Sequence, residues 1–147
     1  MNTTHPYSPI STARAAGVEA RRMRAEHLLA VSERILSPLD VVELAAQYEH
    51  RALRRIRLHV LLSAQPGVGE VKARLACENM LRTLCGRELT DEERKSVKRL
   101  SVAWLLDTRS AGRRWVAFYD ALHRKRVPSP PWPGFPFAPE VKGVGAP

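Results

Sequence analysis

The chain has 147 residues, 44% of them hydrophobic, which suits one compact domain with appended segments and leaves no room for two full cores. No uninterrupted apolar run approaches the ~18–20 residues that a bilayer crossing requires, and MNTTHPYSPISTARAAG lacks the charged start and apolar stretch of a secretory signal. A soluble, intracellular protein is expected. The formal charge of +9 is unevenly placed: residues 1–50 carry five Arg against six acids, residues 51–126 carry eighteen Lys or Arg against eight acids, and residues 127–147 balance. A positive field concentrated on one segment is what a polyanion-binding face requires, since neutralised phosphates release condensed counterions.

In chain order, residues 1–11 hold Pro6 and Pro9 without apolar periodicity and read as a loose arm. From Thr12 to Leu36 the Ala-, Arg- and Glu-rich run, with Met23, His27, Ala30 and Ile35 near helical spacing, predicts a long helix that Gly17 weakens at its start. Ser37-Pro38-Leu39-Asp40 is a helix start: a capping hydroxyl, a proline where its missing N–H costs nothing, and an acid at the positive helix end. A second helix is expected over about 38–49. HRALRRIRLHVLLSAQ then places Leu53, Ile56, Val60 and Leu61 on one side of a third, with Arg51, Arg54, Arg55 and Arg57 around the remainder.

Pro66-Gly67-Val68-Gly69 ends that helix, and a fourth resumes from Glu70 to Leu84 with Val71, Leu75, Met80 and Leu84 inward and Gly86 as its C-cap. Thr90 repeats the start logic, with Glu93 as capping-box partner, for a helix reaching about Leu106. After a break at Asp107–Gly112, RRWVAFYDALHRKR predicts a last, basic helix with Trp115, Phe118 or Tyr119, and Leu122 on its apolar side. Residues 127–147 hold seven prolines and read as a polyproline-type tail. No strand alternation and no internal repeat is apparent, so the expected class is all-α. The expected organisation is an arm (1–11), a helical domain (12–106), an additional basic helix (107–126) and the Pro-rich tail (127–147).

Chemistry concentrates at the Pro66–Gly69 turn. Glycines there let the main chain approach a phosphate, unpaired N–H groups at the next helix start face it, and Lys72 adds a point charge. The scattered His5, His27, His50, His59 and His123 form no metal set, and Cys77 and Cys85 lack metal or disulfide spacing, so no metal and no cofactor is expected. Asp91, Glu92 and Glu93 serve a helix start rather than a general-acid pair, so no catalytic residue and no enzymatic activity is expected.

The run ALRRIRLHVLLSAQPGVGEVKARLACENML resembles the core of the actinobacterial (mycobacterial-type) integration host factors, nucleoid-associated proteins with a helix-two-turns-helix DNA-binding unit. Their Pro-x-Val-Gly-x-x-Lys-Ala turn is matched by Pro66, Val68, Gly69, Lys72 and Ala73, and their later Leu-x-Asp-x-x-Arg-Lys pattern by Leu89, Asp91, Arg94 and Lys95, over about residues 20–105. The resemblance implies double-stranded DNA held through its backbone by Pro66, Gly67, Val68, Gly69 and Lys72, helped by Arg74, Arg82, Arg87, Arg94 and Lys95. It implies little sequence preference, bending of DNA for recombination or transcription control, and a monomer at the nucleoid, in host cytoplasm if the gene is a phage's. The chain departs from the family in separating Arg82 from Arg87 and in extending past Leu106. Two alternatives stay open: an RNA-binding or ribosome-associated protein, and a helical adaptor whose Pro-rich tail recruits a recombinase or another protein.

Overall fold

The computed structural model describes residues 9–123. The Pro-rich tail, Arg124-Lys125-Arg126 and most of the expected N-terminal arm lie outside the described residues. The fold is all-α: α1 (Pro9–Ser32), α2 (Pro38–Ala46), α3 (Leu58–Ser63), α4 (Glu70–Cys85), α5 (Asp91–Ser96), α6 (Val102–Leu105) and α7 (Arg113–Leu122) are joined by 3-10 turns at Tyr48–Arg55, Val97–Arg99 and Thr108–Ser110. Among the described residues no helix is long and apolar enough to cross a membrane.

α1 begins at Pro9 and runs unbroken through Gly17. Only Val31 near its end is buried, and Ile35, expected on the apolar side, is exposed. The helix is closed by Arg34 at φ 61, so the chain enters the left-handed region without a glycine. α2 follows the predicted start closely. The Ser37 side chain accepts from the Asp40 N–H at 3.1 Å, and the Asp40 carboxylate accepts from the Ser37 N–H at 2.7 Å. That second bond, ahead of the one from the Ser37 hydroxyl, holds the Asp40 carboxyl below the usual carboxylate range. Val41, Val42 and Ala45 then face the core. Arg54 closes the other end, donating to the carbonyls of Ala45 (2.7 Å) and Ala46 (3.1 Å), which have no acceptor-filling partner within the helix.

The predicted third and fifth helices are both interrupted. Ile56 and Arg57 are extended (ψ 132 and 138), as are Leu100 and Ser101 (ψ 133 and 167), and the two breaks pair as an antiparallel bridge between Arg57 and Ser101. The Leu58 N–H donates to Leu100 O, and the Val102 N–H donates to Ile56 O, both at 2.9 Å. The bonds are reciprocal, as an antiparallel bridge requires. Leu53, Ile56, Leu58, Leu61 and Ala73 correspond at constant offset to Val97, Leu100, Val102, Leu105 and Ala117, and every one of the ten is buried.

α4 packs on α3 and, more extensively, on α7. Its inward residues are Ala73, Cys77 and Met80; Val71 and Leu75, expected inside, are 64% and 49% exposed. α7 buries Ala117 and Phe118, the latter 1% exposed. Packing thus runs across the expected boundary at 106/107. Trp115 and Leu122 pack against the core while Tyr119 is exposed. Cys85 is exposed; Cys77 is buried, and desolvation pushes its thiol up to about 12, which disfavours a reactive thiolate.

α7 is anchored by Asp107 and Arg114. The Asp107 carboxylate caps the 3-10 turn through the Arg109 N–H (3.0 Å) and takes the Arg109 guanidinium at 2.7 Å. Arg114 lies over the Trp104 ring at 4.4 Å and donates to Trp104 O at 2.9 Å. The Arg109 guanidinium, then its N–H, hold the Asp107 carboxyl down to about 2 against an ordinary 3.8. A depressed folded-state value means stability present above the ordinary value and lost as pH falls toward 2. Asp107→Asn is expected to lower Tm at pH 7, and the difference from wild type should shrink between about pH 4 and pH 2. Thermal melts across that range check this; a gap that stays constant down to pH 2 contradicts it.

Candidate nucleic-acid interface

The turn joining α3 to α4 is built from its own backbone bonds. The Gln65 N–H donates to Leu62 O (3.2 Å) and the Val68 N–H to Gln65 O (3.1 Å). Gly67 adopts φ 78, a conformation that L side chains resist. Gly69 is different: at φ −80 and ψ 171 it caps α4 in ordinary extended geometry, and a Cβ placed there meets nothing within 4 Å. The fold itself has no need of a glycine at 69. What its bare backbone leaves open is the approach from outside to the first turn of α4, whose N–H groups have no intrahelical acceptors.

Pro66, Gly67 and Gly69 are exposed, as is Lys72, whose ammonium reaches back to Gly67 O at 3.5 Å. Val68 does not belong with them. Its side chain packs against the core and lines a cleft with Val31 and Leu36, and its N–H is spent on Gln65. It is half-buried and wedges the turn in place, the least exposed of the expected turn contacts.

The expected basic residues separate into two groups. Arg74, Arg94 and Lys95 come together with Lys98 around a cleft of about 360 Å³ between α4 and α5, and the one acid lining it is Glu78, 4.0 Å from Arg74. Arg94 and Lys95 are exposed, and no ion pair involving them occurs among the described residues. Ten residues separate Lys72 from Arg82, about 15 Å of helix, so Arg82 and Arg87 lie at the far end of α4 from the turn. Both are also neutralised. Arg82 pairs with Glu88 at 3.2 Å and donates to Asn79 at 2.8 Å, and Arg87 grips Glu93 at 2.7 and 3.3 Å. Glu93, the expected capping-box partner, therefore points to Arg87, while Thr90 alone caps α5 by accepting from the Glu93 N–H. The Arg87 guanidinium holds the Glu93 carboxyl below its usual range. Arg82 and Arg87 thus form a pinned loop end rather than a continuation of the turn's surface.

Sequence reasoning placed Lys98 with Arg99, Arg109, Arg113 and Arg114 among further basic residues that could extend the contact along a duplex; the structure brings Lys98, from the 3-10 turn Val97–Arg99, to the α4–α5 cleft. One feature was missed altogether. A second concentration of arginine lies between α1 and the 48–55 segment, where residues 28 positions apart in sequence are joined by the Arg24 bond to Ala52 O. Compared with protein-family models, curated proteins and solved structures, the chain matches none.

Proposed function

We propose that this chain is an architectural DNA-binding protein that grips the sugar-phosphate backbone of a duplex at the 66–69 turn, with little reading of bases and no catalysis. The observation that carries the reading is Gly69: a glycine without internal necessity, exposed at the start of a 16-residue helix and followed by Lys72. An added side chain would intrude only on something outside the protein. Backbone N–H groups and the helix dipole favour an anionic oxygen there, and the α4–α5 cleft adds Arg74, Arg94, Lys95 and Lys98 for phosphates farther along the strand. The resemblance to actinobacterial integration host factors agrees with this, and with work at the nucleoid. Bending of the duplex and recruitment of a recombinase by the Pro-rich tail belong to the same proposal.

Binding of this kind weakens with salt by a slope set by the phosphates neutralised, about 0.9 per contact. Engagement of Lys72 and three or four cations of the cleft predicts a log–log slope of roughly −4, a loss of about 150- to 500-fold in affinity between 50 and 200 mM salt. Fluorescence anisotropy with a labelled duplex, with structured RNA as competitor, measures it. A slope near zero defeats the reading; equal competition by RNA transfers it to an RNA partner.

A further inference from the structure

A cleft of about 650 Å³ between α1 and the 48–55 segment is lined by Arg21, Arg24, Arg51, Arg54 and Arg55, with alanines and Gly17 making up the remainder and no carboxylate among the lining residues. Five like charges held together repel one another; of the nearby acids, Glu26 is turned to Arg22 at 2.8 Å, and Glu19 and Glu49 do not line the cleft. Three of the guanidiniums are fixed in place. Arg24 donates to Ala52 O at 3.4 Å, Arg54 donates to the end of α2, and Arg51 lies over the Tyr48 ring at 4.5 Å. Arg21 and Arg55 are exposed and have no protein partner among the described residues. A guanidinium carries five N–H donors, so the fixed arginines keep donors to spare.

From these observations we infer that the cleft is a second backbone-binding surface for duplex nucleic acid, separate from the turn. The inference rests on the reading that the partner is nucleic acid. Planar guanidinium forks suit phosphate oxygens, and the small alanine and glycine walls let a sugar-phosphate strand come close. The spacing favours a polymer over a single phosphate. Residues 51 to 55 rise about 2 Å each in a 3-10 segment, about 8 Å in all, and a duplex presents one charge per ~1.7 Å of axis, hence about five over that length. α3 begins just beyond Arg55 and ends at the turn, six residues or about 9 Å away, so the cleft and the turn sit at opposite ends of one short helix.

The test uses the full 147-residue chain with a labelled 30-bp duplex across a salt series, comparing wild type, Arg21→Glu/Arg55→Glu, Arg21→Lys/Arg55→Lys, and Gly69→Glu/Lys72→Glu. The Glu variant at the cleft is expected to bind at least about ten-fold more weakly at 100 mM salt, with a salt slope shallower by about 2, while the Lys variant keeps the wild-type slope. Both positions are exposed, so Tm should stay within about 2 °C of wild type and separate lost binding from lost fold. An unchanged slope in the Glu variant, with binding lost only in the turn variant, overturns the second surface and leaves the turn standing. The reverse pattern supports the cleft and removes the turn. A wild-type chain that binds no duplex overturns both.

Discussion

Replacing Phe118 with alanine is expected to cost about 3–5 kcal/mol, against a total of about 5–15 kcal/mol for a domain of this kind, and so to leave a large fraction of the chain unfolded near 37 °C. Phe118 is 1% exposed, the largest fully buried side chain, and it sits where α7 closes on α4. Its ring centroid lies 6.4 Å from that of Trp115, and it is buried within a core whose α4 residues Ala73, Cys77 and Met80 are buried too. Cavity and transfer losses therefore add. The consequence reaches the interface: α4 carries the first-turn N–H groups and Lys72 at one end, and α7 is its most extensive partner. Equilibrium urea unfolding followed by circular dichroism measures the cost. A loss under about 1 kcal/mol would mean that α7 is an appendage and not part of the core.

The second large effect separates the two glycines of the turn. Gly69→Glu is expected to reduce duplex affinity by roughly 100-fold at low salt, by adding a negative charge beside the α4 start and filling the approach to it, while Tm changes little because a Cβ at 69 meets nothing within 4 Å. Gly67→Ala should do the opposite. Its φ of 78 penalises any L side chain by about 1 kcal/mol, which lowers Tm by several degrees, whereas a methyl group in open space leaves the backbone contact intact once the protein is folded. Anisotropy titrations and thermal melts on the two variants give a crossed pattern. Equal loss of affinity and stability in both would make the turn purely structural.

Legibility in the sequence followed the range of the forces involved. Ser37-Pro38-x-Asp40, Thr90 and Gly86 act within four residues, so the start of α2, the cap of α5 and the left-handed end of α4 could be read directly. The all-α class was legible for the same reason, as was the 66–69 turn, whose proline and glycines determine local backbone geometry. Periodicity failed where a distant partner intervened. Ile56 and Leu100 look like helix interiors, yet each leaves the helix because its carbonyl receives an N–H from the opposite segment, Val102 or Leu58, and no local pattern announces a partner so far along the chain.

Charge shows the same division. The sequence by itself located the basic excess and its concentration after residue 50, because net charge needs no coordinates. Only the tertiary structure decided which cations remain available. Arg82 and Arg87 are paired with Glu88 and Glu93, and Arg54 is held at the end of α2 with its charge unpaired, while Lys98 is brought beside Arg74 and Arg94. Arg21 and Arg24 meet Arg51 and Arg55 across a cleft between α1 and the 48–55 segment. An ion pair depends on a separation of a few ångströms between groups whose sequence distance is set by the path of the chain, and that path is a property of the whole core.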